Sequence, residues 1–279
     1  MIKIKNVYFD TSAWDHLYKK VGIPESDSAA LVSAVKTRKI SVLPSITNVE
    51  EVLGALNSYP NLAIAELKFI LDLADSQRLL KPPHLLLKND IEAYARTGFP
   101  DQPFLQNLEI ESYLHMLQNP TQKDRDELLP VMKVTQENKK GFTTAMKEIR
   151  QKIQPEVKKL KGQCRGFDDC WERVACKIAE DFAERVGVLD VCKKRGIGGL
   201  LKLRSVRLAV GVNLSLMYAM IFEGRTSHMG DSRDIHHAIL ASATDEFVTQ
   251  DKKLQKLLSR VRIEDFSVKS LNDFFRLIY

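Results

Sequence analysis

Four acidic residues in this 279-residue chain are spaced so that strands and helices would deliver them to one place: Asp10, Glu51, Asp234 and Asp251. Carboxylates brought together in a cleft repel one another and lose hydration, and a cation removes much of that cost. A set of oxygen ligands without sulfur suits Mg²⁺ or Mn²⁺. The chemistry such a site supports is metal-assisted hydrolysis, above all of phosphodiesters.

The elements that must position these acids are short. Residues 2–9 read as a strand whose finish, Val7-Tyr-Phe9, is apolar throughout, as in a central parallel strand. It ends on Asp10, which could also cap the helix beginning near Ser12. The hydroxyls of Thr11 and Ser12 can bond a carboxylate there. A second strand, 40–43, runs through Pro44-Ser-Ile-Thr47 into a helix with a buried stripe of Val49, Val52, Leu53 and Leu56. Glu50 and Glu51 diverge by about 100° on that helix, so only one can face the site; Glu51 is favoured, with Glu50 close behind. Residues 230–251 read as a helix followed by the strand 246–249. Asp231 or Ser232 caps that helix, Asp234 lies in its first turn, and Asp251 follows the strand. Asp245 reads as a turn residue. The carboxyl edge of an open α/β sheet is where ligand crevices form.

Three stretches together resemble the PIN domain family: Val-Tyr-Phe-Asp10-Thr-Ser, then Pro-Ser45-x₅-Glu51-Val-Leu, then Asp234-x₂-His-Ala-Ile-Leu-Ala-Ser-Ala with Phe-Val-Thr249-Gln-Asp251-Lys-Lys-Leu. The resemblance implies a Rossmann-like parallel sheet flanked by helices and a Mg²⁺- or Mn²⁺-dependent nuclease, commonly an endoribonuclease and in bacteria often a toxin with a small antitoxin partner. By that match Asp10, Glu51, Asp234 and Asp251 are the catalytic, metal-holding acids, and Thr249 orients a carboxylate. The chain departs from the pattern at His237, which stands directly before the Ala-x-x-Ala run where many members carry the late-helix acid. Asp234 lies one turn earlier on the same face. His237 would ligate metal, bond phosphate or fill the helix–sheet interface.

The resemblance covers about half the chain, so the expected organisation is a discontinuous α/β domain of residues 1–80 and 228–279, interrupted by a helical insertion over 81–227. Within it, Lys81-Pro-Pro-His84 reads as a helix stop. Helices are expected over 90–96, 105–118, 125–133, 143–161, 170–194 and 201–222, and a further strand over 261–266 after the insertion. Residues 133–207 hold 19 Lys/Arg against 10 Asp/Glu, whereas the whole chain is +6, leaving the remainder near −3. A basic wall over an acidic site suits a polyanion such as RNA. Phe142, Phe167 and Trp171 lie among these cations and could stack on bases, and added helices also suit homo-oligomer contacts.

Cys164, Cys170, Cys176 and Cys192 show no paired zinc spacing, which points to thiols in a reducing compartment. The apolar run 208–222 reads as a buried helix rather than a membrane span, and with no signal peptide pattern the expected location is cytoplasmic. A haloacid-dehalogenase-type phosphatase would need a second Asp two residues after Asp10, where Ser12 stands. The alternative that survives is a catalytically degenerate PIN-like module that binds RNA or protein without cutting.

Overall fold

The computed structural model describes residues 4–55, 58–75, 78–105, 165–228 and 230–278, with a few positions between 140 and 151. Four strands, β1 (Lys5–Phe9), β2 (Ile40–Val42), β3 (Glu246–Val248) and β4 (Ser267–Lys269), form an all-parallel sheet in the order β2-β1-β3-β4. Val7 pairs with Val42 on one side and Glu246 on the other, and Phe9 with Val248. The carboxyl ends of β1, β2 and β3 are therefore neighbours. The fold is α/β, with helices on both faces.

Alternation along β1 assigns its side chains to those faces. Val7 and Phe9 enter a core with α1 (Thr11–Lys19), α2 (Glu25–Lys36), α3 (Ile46–Leu53), α4 (Pro60–Leu73) and the last helix, Leu271–Ile278. Phe9 lies 5.1 Å from Trp14 and 5.3 Å from Phe274 between ring centres. Burying a side chain of this size contributes about 2 kcal/mol or more. Tyr8 and Phe247 face the opposite core.

That second core uses α5 (Pro83–Thr97) together with helices from the later chain. Among the later helices, α6 (Phe167–Val186), α7 (Leu189–Arg195) and α8 (Ile197–Leu200) lie outermost, α9 (Arg204–Phe222), α10 (Asp231–Ala241) and α11 (Lys252–Leu258) carry this core, and α12 (Leu271–Ile278) is the last helix, which belongs to the first core. Leu208, Val212 and Leu216 of α9 pack with Ile235 and Ile239 of α10, beneath Tyr8 and Phe247. Helix α9 therefore belongs to the layer directly over the sheet. Helices α5 to α8 form a third cluster on its outer side, around Ala175, Ala179, Leu200 and Val206. Of the described helices α9 alone is long and apolar enough to cross a membrane, and 67% of that apolar window is buried in this packing.

Several boundaries differ from the expectations. The strand expected over 261–266 is a turn, and β4 begins at Ser267. Val261 and Ile263 do enter the core, but Arg204 binds the carbonyls of Glu264 and Asp265, and Asp265 takes φ 53°. The helix expected over 170–194 divides at Gly187, whose φ of 82° closes α6 in a left-handed cap. Pro83 opens α5 instead of stopping a helix, since a first-turn proline loses no helical hydrogen bond. Helices expected over 105–118, 125–133 and 143–161 lie wholly or largely outside the described residues, as do Phe142 and Cys164. Cys170 and Cys192 are buried and Cys176 is exposed.

Candidate active site at the carboxyl edge of the sheet

Asp10 follows β1 and is 3% exposed. Both readings of it hold geometrically: it caps α1, accepting from Ala13 N at 2.8 Å, and it lies at the sheet edge. Ser12 Oγ donates to the same oxygen at 2.8 Å, and Thr249 Oγ1 to the other at 2.5 Å. Burial pushes the Asp10 carboxyl up, against the lowering pull of His237 and these donors. Thr249 also accepts from Asp251 N at 3.0 Å, and Ser12 Oγ from Gln250 N at 3.1 Å. The ends of β1 and β3 are thus tied through the side chains that present Asp10.

Glu51 reaches the same edge from α3. Its Oε2 accepts from Thr11 Oγ1 at 2.5 Å and from His237 Nε2 at 2.9 Å, and Arg233 Nε stands 3.6 Å from Oε1. Burial alone would raise this carboxyl, yet His237, Thr11 and Arg233 hold it at about 2. Glu50 points to Arg233, accepting from Nη1 at 3.0 Å. The two glutamates diverge as the helix period requires, and one arginine spans both.

Donor counting settles the protons around His237, which is buried in α10. Asn48 Nδ2 donates to Phe9 O at 3.1 Å, which orients the amide, so Asn48 Oδ1 takes the Ser45 proton at 2.8 Å. Tyr8 OH lies 3.0 Å from Ser45 Oγ and 2.8 Å from His237 Nδ1. With its own proton spent on Asn48, Ser45 can only accept from Tyr8, so Tyr8 accepts from Nδ1–H. Nε2–H donates to ionised Glu51. The full network therefore calls for an imidazolium. Burial opposes that charge, but Glu51, Asp10 and Asp234 raise the His237 pKa overall. Both ring nitrogens of His237 are thus engaged, Nδ1 with Tyr8 and Nε2 with Glu51, at the helix–sheet interface.

Asp234 lies in the first turn of α10, half-buried. Burial and, next, the Asp251 carboxylate push it up to about 7. Asp251 caps α11, with Oδ1 accepting from Lys253 N at 2.7 Å and Leu254 N at 3.1 Å. Asp231, expected as a cap, is instead the first residue of α10 and binds backward: Arg225 Nη2 at 2.7 Å and His228 N at 2.8 Å. It fixes the approach to α10 and so the placement of Asp234. Asp245 accepts from Asn6 N at 2.9 Å in the turn before β3.

All four predicted acids thus converge on one edge, although no three His, Cys, Asp or Glu side chains among the described residues are set to share an ion. Tyr8, Ser45, Asn48 and Arg233 also belong to the site and were not singled out as chemical groups from sequence. Tyr8 reads there as core, and only its hydroxyl, buried beside Asp10, could have signalled otherwise. A groove of about 1330 Å³ runs along edge strand β4 and includes none of the four predicted acids; Lys202, Arg204, Arg207 and Arg262 line it with Glu264 and Asp273. Phe167 and Trp171 pack beside one another, 6.4 Å apart, with Arg207 over the Trp171 ring. Comparison with protein-family models, curated proteins and solved structures finds no match.

Proposed function

We propose that the chain is a PIN-like, Mg²⁺- or Mn²⁺-dependent endoribonuclease that hydrolyses RNA phosphodiester bonds. The observation that carries this reading is the gathering of Asp10, Asp234 and Asp251 at the carboxyl edge of the sheet, where burial and, next, the Asp251 carboxylate push the half-buried Asp234 up to about 7. Two carboxylates this near one another need positive charge beyond that of His237 and Arg225 before both ionise readily. A divalent cation would supply it, and the donors present are the oxygen ligands Mg²⁺ and Mn²⁺ prefer.

Asp10, Asp234 and Asp251 would hold the ion, with Glu51 at its margin. The ion, when bound, would supply Lewis acidity toward water and toward the phosphoryl oxygens. Ser12 and Thr249 fix the Asp10 carboxylate, and Asp231 holds the turn that presents Asp234. His237, Thr11 and Arg233 hold Glu51 in its ionised form, and Tyr8 positions His237. RNA as the substrate, a toxin-like role with an antitoxin-type partner, and a PIN-type sheet bearing an 81–227 insertion rest on the family resemblance. The parallel sheet and the order of the acids support it.

A second reading has one specific observation in its favour. Glu51 is already neutralised by Arg233 and His237, as in a degenerate module that binds RNA or protein without cutting. Purified protein incubated with labelled mixed-sequence RNA separates the two. Cleavage with Mg²⁺ or Mn²⁺ that stops in EDTA is the expected result. Retained RNA binding without cleavage under any metal condition would favour the binding module.

A further inference from the structure

One edge of the sheet is covered and the other is open. Beside β2 the chain over 75–80 closes the edge: Asp75 N donates to Val42 O at 2.8 Å, and Leu80 bridges Ser45. Among the described residues no strand pairs beyond β4, at the other end. Ser267 and Lys269 turn their backbone groups to β3, with Ser267 N donating to Asp245 O at 3.2 Å and Lys269 O accepting from Thr249 N at 3.0 Å. Alternation therefore turns the N–H and C=O of Val268 toward the open edge. The groove of about 1330 Å³ lies along this edge, with half-buried Ile263, Phe266 and Val268 in its wall. An unpaired strand edge is a template for another strand.

Two features choose the occupant. A short strand that presents a single outward residue offers little main-chain bonding to an added peptide. It suffices for a two-fold axis, because directly opposed residues of an antiparallel hydrogen-bonded pair exchange both bonds. The charges agree, since Lys202, Arg204 and Arg262 line the same groove as Glu264, Asp265 and Asp273. A polyanion would meet those acids, whereas an isologous contact lets the cations of one copy meet the acids of the other. We propose that β4 is a homodimer interface, on which a second copy of this chain adds its own β4 antiparallel, with Val268 of each copy paired across the two-fold axis. The parallel sheet of one copy then continues into that of the second, running the opposite way. The two acidic edges open at opposite ends of the joined sheet, so neither draws residues from the other copy. The pairing is independent of the chemistry that the acids perform.

Sedimentation equilibrium of the full-length chain, alone and with mixed-sequence RNA, reads the association directly. The wild-type chain is expected at twice the monomer mass without RNA. Val268→Pro deletes the outward N–H of each copy and no bond to β3. With its fold checked by circular dichroism, it should raise the dimer dissociation constant about thirtyfold or more. Arg262→Glu is a second probe, on a side chain that is 82% exposed, and should weaken the dimer about fivefold or more. Val268→Cys in a Cys176→Ser chain should form an interchain disulfide on oxidation, since paired α-carbons lie about 5.5 Å apart. The Cys176→Ser chain that keeps Val268 should not. A wild-type chain that stays monomeric up to about 100 μM overturns the proposal, as does mass gained only when RNA is present. A dimer left intact by folded Val268→Pro and Arg262→Glu, with no disulfide at position 268, overturns it as well.

Discussion

Asp234→Asn tests the charge balance of the edge before any substrate is added. Asp234 is pushed up to about 7 from an ordinary 3.8. Between those two values the unfolded chain releases this proton while the folded chain keeps it. The contribution of Asp234 to stability is therefore largest in acid and falls as pH rises from about 4 to about 7. Three pH units at about 1.4 kcal/mol each set a ceiling near 4 kcal/mol. The solvent access that remains reduces this to about 1–3 kcal/mol. Asparagine keeps the shape and removes the charge. In EDTA at pH 8 the variant should then be more stable than the parent, by roughly 2–8 °C in Tm, with the difference closing near pH 4. Mn²⁺ should reverse the order, because an ion at a hundred times its Kd stabilises the parent by about 2.7 kcal/mol and the variant has lost a ligand. Thermal unfolding followed by circular dichroism across this pH range, with EDTA or Mn²⁺, makes the measurement. A variant less stable than the parent at pH 8 in EDTA, or one with the same pH dependence, would refute the reasoning.

Two further substitutions probe the surroundings. Glu51→Gln breaks a buried pair and should cost about 2–4 kcal/mol in urea unfolding at pH 7. Because Glu51 is held at about 2 against an ordinary 4.5, that cost should be fully present above about pH 4.5 and shrink as the solution is acidified toward pH 2. Gly211→Ala addresses the packing of α9, since a β-carbon there would lie 2.5 Å from Val261 Cγ2. It should destabilise by about 1–3 kcal/mol with an unchanged denaturant slope.

The positions of Asp10 and Asp251 were legible in the sequence because each follows a short apolar strand. Val7 to Phe9 can only be a buried strand, so Asp10 must stand at its carboxyl end; Phe247 and Val248 place Asp251 by the same logic. Helix α4 was harder to see, because Tyr59 gives it no side-chain cap and apolar residues surround much of its circumference. Gly187 divides α6 from α7 through a backbone angle that periodicity does not register. The turn over 261–266 mimics a strand in composition, yet Arg204, from a distant helix, holds its carbonyls. The largest gap concerns partners. Tyr8 with His237, and Arg233 with Glu50, pair across 229 and 183 residues. Nothing in local spacing shows that a core-like tyrosine ends on an imidazole, or that the arginine beside Asp234 turns inward.

The central claim is that these carboxylates hold a metal that cuts RNA, and cleavage by Asp10→Asn tests it most directly. The substitution preserves the size of a side chain that Ser12, Ala13 and Thr249 hold in place, and it removes one ligand charge. With Mn²⁺ and labelled mixed-sequence RNA, the wild-type chain should cleave, and Asp10→Asn should lose about a hundredfold or more in rate while still binding RNA. Wild-type cleavage that persists in EDTA, or an Asp10→Asn variant that cuts at the wild-type rate, would contradict it.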